Sequence, residues 1–454
     1  MIKAWVEEVI ERLGREKISD HETEKYRHSR DESYHPPVDP EIVVFPESKS
    51  DVLILIEIAK KFGVAVTPYG VGSGLEGQAI PILGGISVNF ERMNRIVEFN
   101  PEDLTVTVQP GMTRMELNKA INNHGLYFPI DPGADASIGG MVATNASGTT
   151  AVRYGSMRDQ VLCLEVVLAN GKVMKTGTKA KKSSSGYHLN GMFVGSEGTL
   201  GLITEVTLKL HGIPEHVVAA RCTFNTPKEC AEAAQTVLKS GISVMRMELV
   251  DATSIQQVNQ YGGYSYPEKH SLFFEFAGTK AAVEEESGVT EELMHDLGCE
   301  NWERANGSKE RADLWRARHE LAYAFRHMKG MAISGGDVCV PISTLADMVV
   351  YGRKLIDESG LIGGVFGHVG DGNFHTLIVF NPNEPNEVKA ADYINEKLAY
   401  KAIEVGGTCT GEHGVGLGKR KFQEAEHGEA LVIMKKLKEM LDPHNLLNPG
   451  KIFL

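Results

Sequence analysis

Apolar and polar positions along this chain switch between a period near 3.6 and a period of two, and the switches mark out its elements. Residues 3–14 carry Trp5, Val9 and Leu13 on one stripe of an amphipathic surface helix. A polar segment from about Ser19 to Pro40, with His35-Pro36-Pro37 inside it, reads as an extended arm or loop. Ile42 to Pro46 is a strand, and Ser50-Asp51 can cap a helix over 51–62 whose Val52, Leu55, Ile56 and Ala59 face a core. Gly63 stops that helix, and Val64 to Pro68 is a second strand, which completes a β-α-β unit. A further strand covers 163–169, followed by the turn Asn170-Gly171. From 217 to 300 the pattern alternates: strand 217–224, helix 226–240, strand 243–250, helix 251–260, strand 271–277, helix 281–297. That order predicts an α+β unit, a sheet with helices on one face. A helical stretch covers 310–328, and a last helix, 428–441, ends at Asp442-Pro443. The expected division is an N-terminal helix and arm (1–36), a first domain (37–215), a second (216–415) and a C-terminal helical segment (416–454).

Composition narrows the function classes. At 454 residues, two domains are expected. A net charge of -13 argues against a broad nucleic-acid footprint, although one local Arg or Lys pocket can still take an anionic substrate. No run of 18 apolar residues is present to span a membrane, and the charged N-terminus does not read as a signal peptide. Six cysteines without a Cys-x-x-Cys pair make disulfides and iron–sulfur ligation poor readings and favour a reducing cytoplasm, with a peripheral station at the inner membrane face still open.

Three glycine-rich segments carry the first candidate chemistry. Tyr69-Gly70-Val71-Gly72-Ser73-Gly74 follows the second strand, and such a loop lets backbone N–H groups approach an anion. It is neither a P-loop nor a Gly-x-Gly-x-x-Gly opening a long helix. Pro129 to Gly133 leads into Ser137-Ile138-Gly139-Gly140-Met141-Val142-Ala143-Thr144-Asn145-Ala146-Ser147-Gly148, too interleaved with apolar residues for a flexible linker. Val194-Gly195-Ser196-Glu197-Gly198-Thr199-Leu200-Gly201-Leu202-Ile203 is the third.

The second candidate is Gly367-His368-Val369-Gly370-Asp371-Gly372-Asn373-Phe374-His375. Seven residues apart, the two imidazoles would face opposite ways on an unbroken strand, but Gly370 and Gly372 permit a bend that turns both to one point. Imidazole is a common metal ligand, and Gly411-Glu412-His413-Gly414 adds a carboxylate and a third ring.

In order and spacing, the three glycine segments resemble the FAD-binding domain of the vanillyl-alcohol oxidase or PCMH superfamily over residues 37–215. The resemblance implies an α+β protein: a two-part PCMH-type FAD-binding domain, an α+β cap and a C-terminal helical return. It places non-covalent FAD, with no linking His or Cys in the loop, on Pro68, Tyr69, Gly70, Val71, Gly72, Ser73 and Gly74 for the diphosphate. Pro132, Gly133, Ser137, Gly139, Gly140, Thr144, Asn145, Ser147, Gly148, Gly155, Glu197, Gly198, Gly201 and Ile203 then line the remainder. The second half is similar to the FAD-linked D-2-hydroxyacid dehydrogenases, most closely the acceptor- or cytochrome-linked D-lactate dehydrogenase branch. The carrying motifs are Trp315-Arg316-Ala317-Arg318-His319, Asp337-Val338-Cys339-Val340-Pro341, the His368–His375 and Glu412-His413 segments, and Leu441-Asp442-Pro443 to Lys451-Ile452.

That likeness implies a divalent metal, zinc or manganese, on His368, His375 and Glu412. It makes His413 the proton acceptor and Arg318 the anchor for the substrate carboxylate. It also implies D-lactate as substrate and an external acceptor such as a quinone, cytochrome or electron-transfer protein, with a homodimer or partner subunits open. Adjacency alone leaves open the exchange of roles between Glu412 and His413. In the resemblance, relatives acting on 2-hydroxyglutarate tend to carry a lysine just before the motif aspartate; here Gly335-Gly336 precede Asp337. The rival readings are a glycolate oxidase FAD subunit or a D-2-hydroxyglutarate dehydrogenase and, from other classes, a metal-dependent hydrolase or a non-catalytic flavin subunit.

Overall fold

The computed structural model describes residues 3–454, so Met1 and Ile2, ahead of the expected first helix, lie outside it. The chain forms two compact units. The first takes the described residues up to Gly148, then Tyr154–Ile213 and Glu412–Leu454; the second takes Thr149–Arg153 and Pro214–Gly411.

In the first unit, helix Lys49–Phe62 connects strands Ile42–Val44 and Val66–Tyr69. Val52, Leu55, Ile56, Ile58 and Ala59 are fully buried, each larger side chain contributing about 1.5–3 kcal/mol. The cap sits two residues earlier than the sequence reading had it. Ser48 Oγ accepts from Asp51 N at 3.3 Å and Asp51 returns a carboxylate to Ser48 N at 3.2 Å, a capping box. The two strands are not neighbours. Both pair in parallel with Ile86–Asn89, which lies between them. An antiparallel sheet of five strands follows in the order Ile96–Asn100, Thr105–Val108, Leu202–Lys209, Val161–Val167, Val173–Lys175.

The expected N-terminal arm is not extended throughout, because Glu22–His28 is helical. Its only buried residue is His28, its ring centre 4.2 Å from that of Tyr69 and tilted against it, so no apolar stripe announces it. The C-terminal return belongs to this unit. Asn448 Nδ2 donates to the carbonyls of Gln78 and Glu197, and Lys451 Nζ donates to that of Ile80.

The second unit is built on one antiparallel sheet of seven strands. Their order is Glu300–Ala305, His216–Phe224, His270–Gly278, Arg246–Val250, Ile362–Gly367, Asn373–Phe380, Ala332–Cys339. Helices cover both faces rather than the expected one. Met247, Leu249, Val365 and Phe374 share a core with the helices Pro227–Lys239, Lys280–Asp296, Leu345–Ser359 and Pro385–Glu404. Val250, Phe273, Phe366 and Val379 share another with Ala252–Gly262, Ser308–His319 and Leu321–Arg326. Side chains of alternate residues go to opposite faces, so strands apolar on both sides require two layers. The expected continuous helix over 310–328 is broken at Glu320 into two.

Candidate active site

Four neighbouring strands place a row of polar side chains on the second face. Glu248 lies on the same face as Val250. His375 pairs with Phe366 on one side and with Asp337 on the other. Leu249 pairs with Gly367, which sets Glu248 level with His368 just past the strand end. The bend expected between the histidines is a hairpin turn. Gly372 makes it possible, with φ at +86° and a Cβ position blocked by the Val340 carbonyl. The two rings meet edge to face, with centroids 5.3 Å apart.

Glu248, which the sequence reading passed over, is completely buried. Its Oε1 lies 2.6 Å from His368 Nδ1, and its Oε2 accepts from Arg318 Nε at 2.8 Å. Burial pushes the carboxyl up, but the His368 and Arg318 charges and hydrogen bonds outweigh it and hold it down at about 2. An ionised carboxylate only accepts, so His368 carries its proton on Nδ1, and in the neutral ring Nε2 keeps its lone pair. Arg318 comes from helix Ser308–His319, its guanidinium 5.1 Å from the Phe366 ring centre. Asp337 stands beside the second ring. Its Oδ1 lies 3.5 Å from His375 Nδ1 and accepts from Asn373 Nδ2 at 2.7 Å, while Oδ2 accepts from Thr410 Oγ1 and Gly411 N, each at 2.9 Å. Asn373 Oδ1 is buried and accepts no hydrogen bond. Two imidazoles, each with a carboxylate at Nδ1, form a donor set that suits zinc or manganese.

The chain crosses to the first unit directly after Gly411. There Glu412 Oε2 accepts from Ser147 Oγ at 2.8 Å, and the His413 carbonyl accepts from Gln78 Nε2 at 2.7 Å. Glu197, from the third glycine segment, holds this loop by accepting from Val415 N at 2.6 Å and Gly416 N at 2.9 Å. Burial pushes its carboxyl up to about 7, against the pull of those two amides.

The three glycine segments pack on one another. A Cβ on Gly70 would overlap the Ser137 hydroxyl, and one on Gly198 would strike the Pro68 ring. Gly72 has φ +77°, with the Tyr69 hydroxyl against it. Thr144 Oγ1 donates to Gly140 O, while Asn145 Oδ1 accepts from Ser156 Oγ and Arg158 N. Ile203 is a core residue of strand Leu202–Lys209.

A family model described as "FAD binding domain" matches residues 40–177, and one described as "FAD linked oxidases, C-terminal domain" matches residues 213–452. The chain belongs to the FAD-linked oxidases. This oxidase is 44% identical over 444 residues to a "Probable D-lactate dehydrogenase, mitochondrial" of Danio rerio, covering 97% of the present chain and 89% of that one. It is 42% identical over 433 residues to "D-lactate dehydrogenase [cytochrome], mitochondrial" of Arabidopsis thaliana, covering 94% and 76%. Its fold matches that of an alkyldihydroxyacetonephosphate synthase with a TM-score of 0.79 at 20% identity, covering 99% of this chain and 86% of the other. The oxidase is thus an FAD-binding oxidoreductase of mixed α and β structure, and the hydrolase reading is set aside. Among the described residues, no helix is long and apolar enough to cross a membrane.

Proposed function

We propose that this oxidase converts a D-2-hydroxyacid, D-lactate foremost, to the 2-oxoacid and passes the electrons to an external acceptor. The observation that carries the reading is the convergence of Arg318, His368 and His375 on one buried sheet face. Family membership and the D-lactate dehydrogenase names of its relatives supply the reaction class.

Each residue then has a task. Arg318 spends Nε on Glu248 and offers its two Nη groups to the substrate carboxylate. His368 and His375 hold a divalent cation, with Glu412 as third donor. The amide of Gly411, held by Asp337, fixes the chain one residue before that donor. Such a cation, when bound, lowers the pKa of a 2-hydroxyl so that its proton can leave near neutral pH. His413 takes that proton, with its backbone steadied by Gln78. The segments at Gly70–Gly74, Ser137–Gly148 and Glu197–Gly201 bind FAD, which when bound accepts the hydride from C2.

The test compares His368→Ala with the unaltered protein for metal content, flavin spectrum and D-lactate-dependent dye reduction. The expected result is intact FAD with metal and turnover lost. Full metal and activity in the variant would overturn the reading.

A further inference from the structure

Glu248 has no role in the chemistry just described, yet it touches two of its participants. It lies in the middle of a central strand, between the buried apolar residues Met247 and Leu249. A carboxylate there is costly unless both oxygens are matched by charged donors. The match it finds joins two groups from separate elements, the turn after Ile362–Gly367 and the helix Ser308–His319.

The atoms it engages are the ones each partner can spare. Accepting the hydrogen bond of the His368 Nδ1–H leaves Nε2 as the only lone pair on the ring, aligned by a 2.6 Å contact. Taking Nε of Arg318 leaves the terminal fork and removes one degree of freedom from a long side chain. Phe366 packs beneath the guanidinium at 5.1 Å and pairs with His375, so the strands that carry the imidazoles also floor the arginine.

We propose that Glu248 is a positioning residue that couples metal binding at His368 to substrate-carboxylate binding at Arg318. The inference rests on the function proposed above. The coupling runs through one anion. A cation on Nε2 makes the Nδ1–H a stronger donor and tightens the hold of Glu248 on His368, and the same carboxylate, by holding Arg318 through Nε, keeps the terminal fork in place for the substrate carboxylate. Substitutions at position 248 therefore disturb both binding events at once, whereas a brace between helix and sheet would disturb neither.

The experiment uses the flavoprotein of 454 residues with Glu248→Gln and Glu248→Asp. The glutamine keeps the volume but accepts from one partner only, and its amide presents N–H to the other. The aspartate keeps the charge but is too short to span both. Zinc and manganese affinities are measured by chelator competition. KM and kcat for D-lactate are read with a dye acceptor at saturating metal, and bound flavin is read by absorbance. Expected are retained flavin, metal affinity weakened about 10- to 100-fold, and KM raised on the order of tenfold, with kcat less affected than KM.

Metal affinity and KM both unchanged in a folded variant would overturn the coupling and leave Glu248 a structural brace. If the glutamine variant does not fold, the isocharged aspartate decides by the same readings. Should the unaltered protein bind no metal, the proposed function fails first and the coupling with it. Metal bound normally and lost in His368→Ala, beside an unaffected Glu248→Gln, defeats the coupling alone.

Discussion

Substituting Gly70 by Ala tests whether the first two glycine segments form one cradle. The Cβ would lie well inside the ~3.5 Å separation of non-bonded atoms, with the Ser137 hydroxyl in its path. That hydroxyl caps helix Ile138–Thr144 by accepting from Gly140 N at 3.3 Å. Displacing it costs about 1 kcal/mol for the cap, and overpacking adds roughly 1–3 kcal/mol. The total of about 2–4 kcal/mol lowers Tm by roughly 4–16 °C for a unit of this size, and the displaced backbone lowers FAD occupancy. Thermal unfolding and the flavin absorbance of purified protein read both. The double variant with Ser137→Gly removes the obstacle, and glycine at the cap costs only a few tenths of a kcal/mol, so most of the loss should return. Stoichiometric FAD and an unchanged Tm in Gly70→Ala, or no recovery in the double variant, would refute the packing argument.

Three further outcomes are expected. His413→Ala retains metal and FAD while turnover with D-lactate drops by roughly 10²–10⁴; loss of metal instead would make His413 a ligand. Gly335 is exposed on the edge strand, on the face of Asp337, and its Cβ would find its nearest neighbour at 3.8 Å. Gly335→Lys therefore folds normally and raises kcat/KM for D-2-hydroxyglutarate relative to D-lactate by about 10- to 100-fold, and an unaltered ratio would show that position 335 does not reach the substrate. Glu197 has a carboxyl raised from 4.5 to about 7 in the folded protein, so its stabilising share is complete below pH 4.5 and is lost as pH rises through 7. At about 1.4 kcal/mol per pH unit this amounts to about 3 kcal/mol. Glu197→Gln flattens the fall in Tm between pH 5 and pH 8, and an identical pH slope in the two proteins would show the residue carries no such shift.

How much could be read from the sequence depended on whether the signal was local. The helix over Lys49–Phe62 declared itself through Val52, Leu55, Ile56 and Ala59, and the histidine hairpin through its glycines. The insertion of Ile86–Asn89 between two strands left no mark, because sheet order is set by contacts distant in sequence. Helices on both faces of the seven-stranded sheet were hidden for a related reason: strands apolar on both sides do not say what covers them. The C-terminal return into the first unit depends on Asn448 and Lys451 meeting carbonyls some 370 residues earlier. Glu248 was the most informative omission. One carboxylate inside Met245-Arg246-Met247-Glu248-Leu249-Val250 is a charge where a central strand should bury only apolar groups, and that conflict was a signal open to view.

The account is tested most directly by substrate and metal together. Purified flavoprotein is given D-lactate, L-lactate and D-2-hydroxyglutarate with an artificial dye, before chelation, after it, and with zinc or manganese restored. The account predicts that D-lactate gives the highest kcat/KM, that chelation abolishes turnover while the flavin stays bound, and that metal restores it. Preference for L-lactate or the dicarboxylate, or full turnover by protein shown to be metal-free, would contradict it.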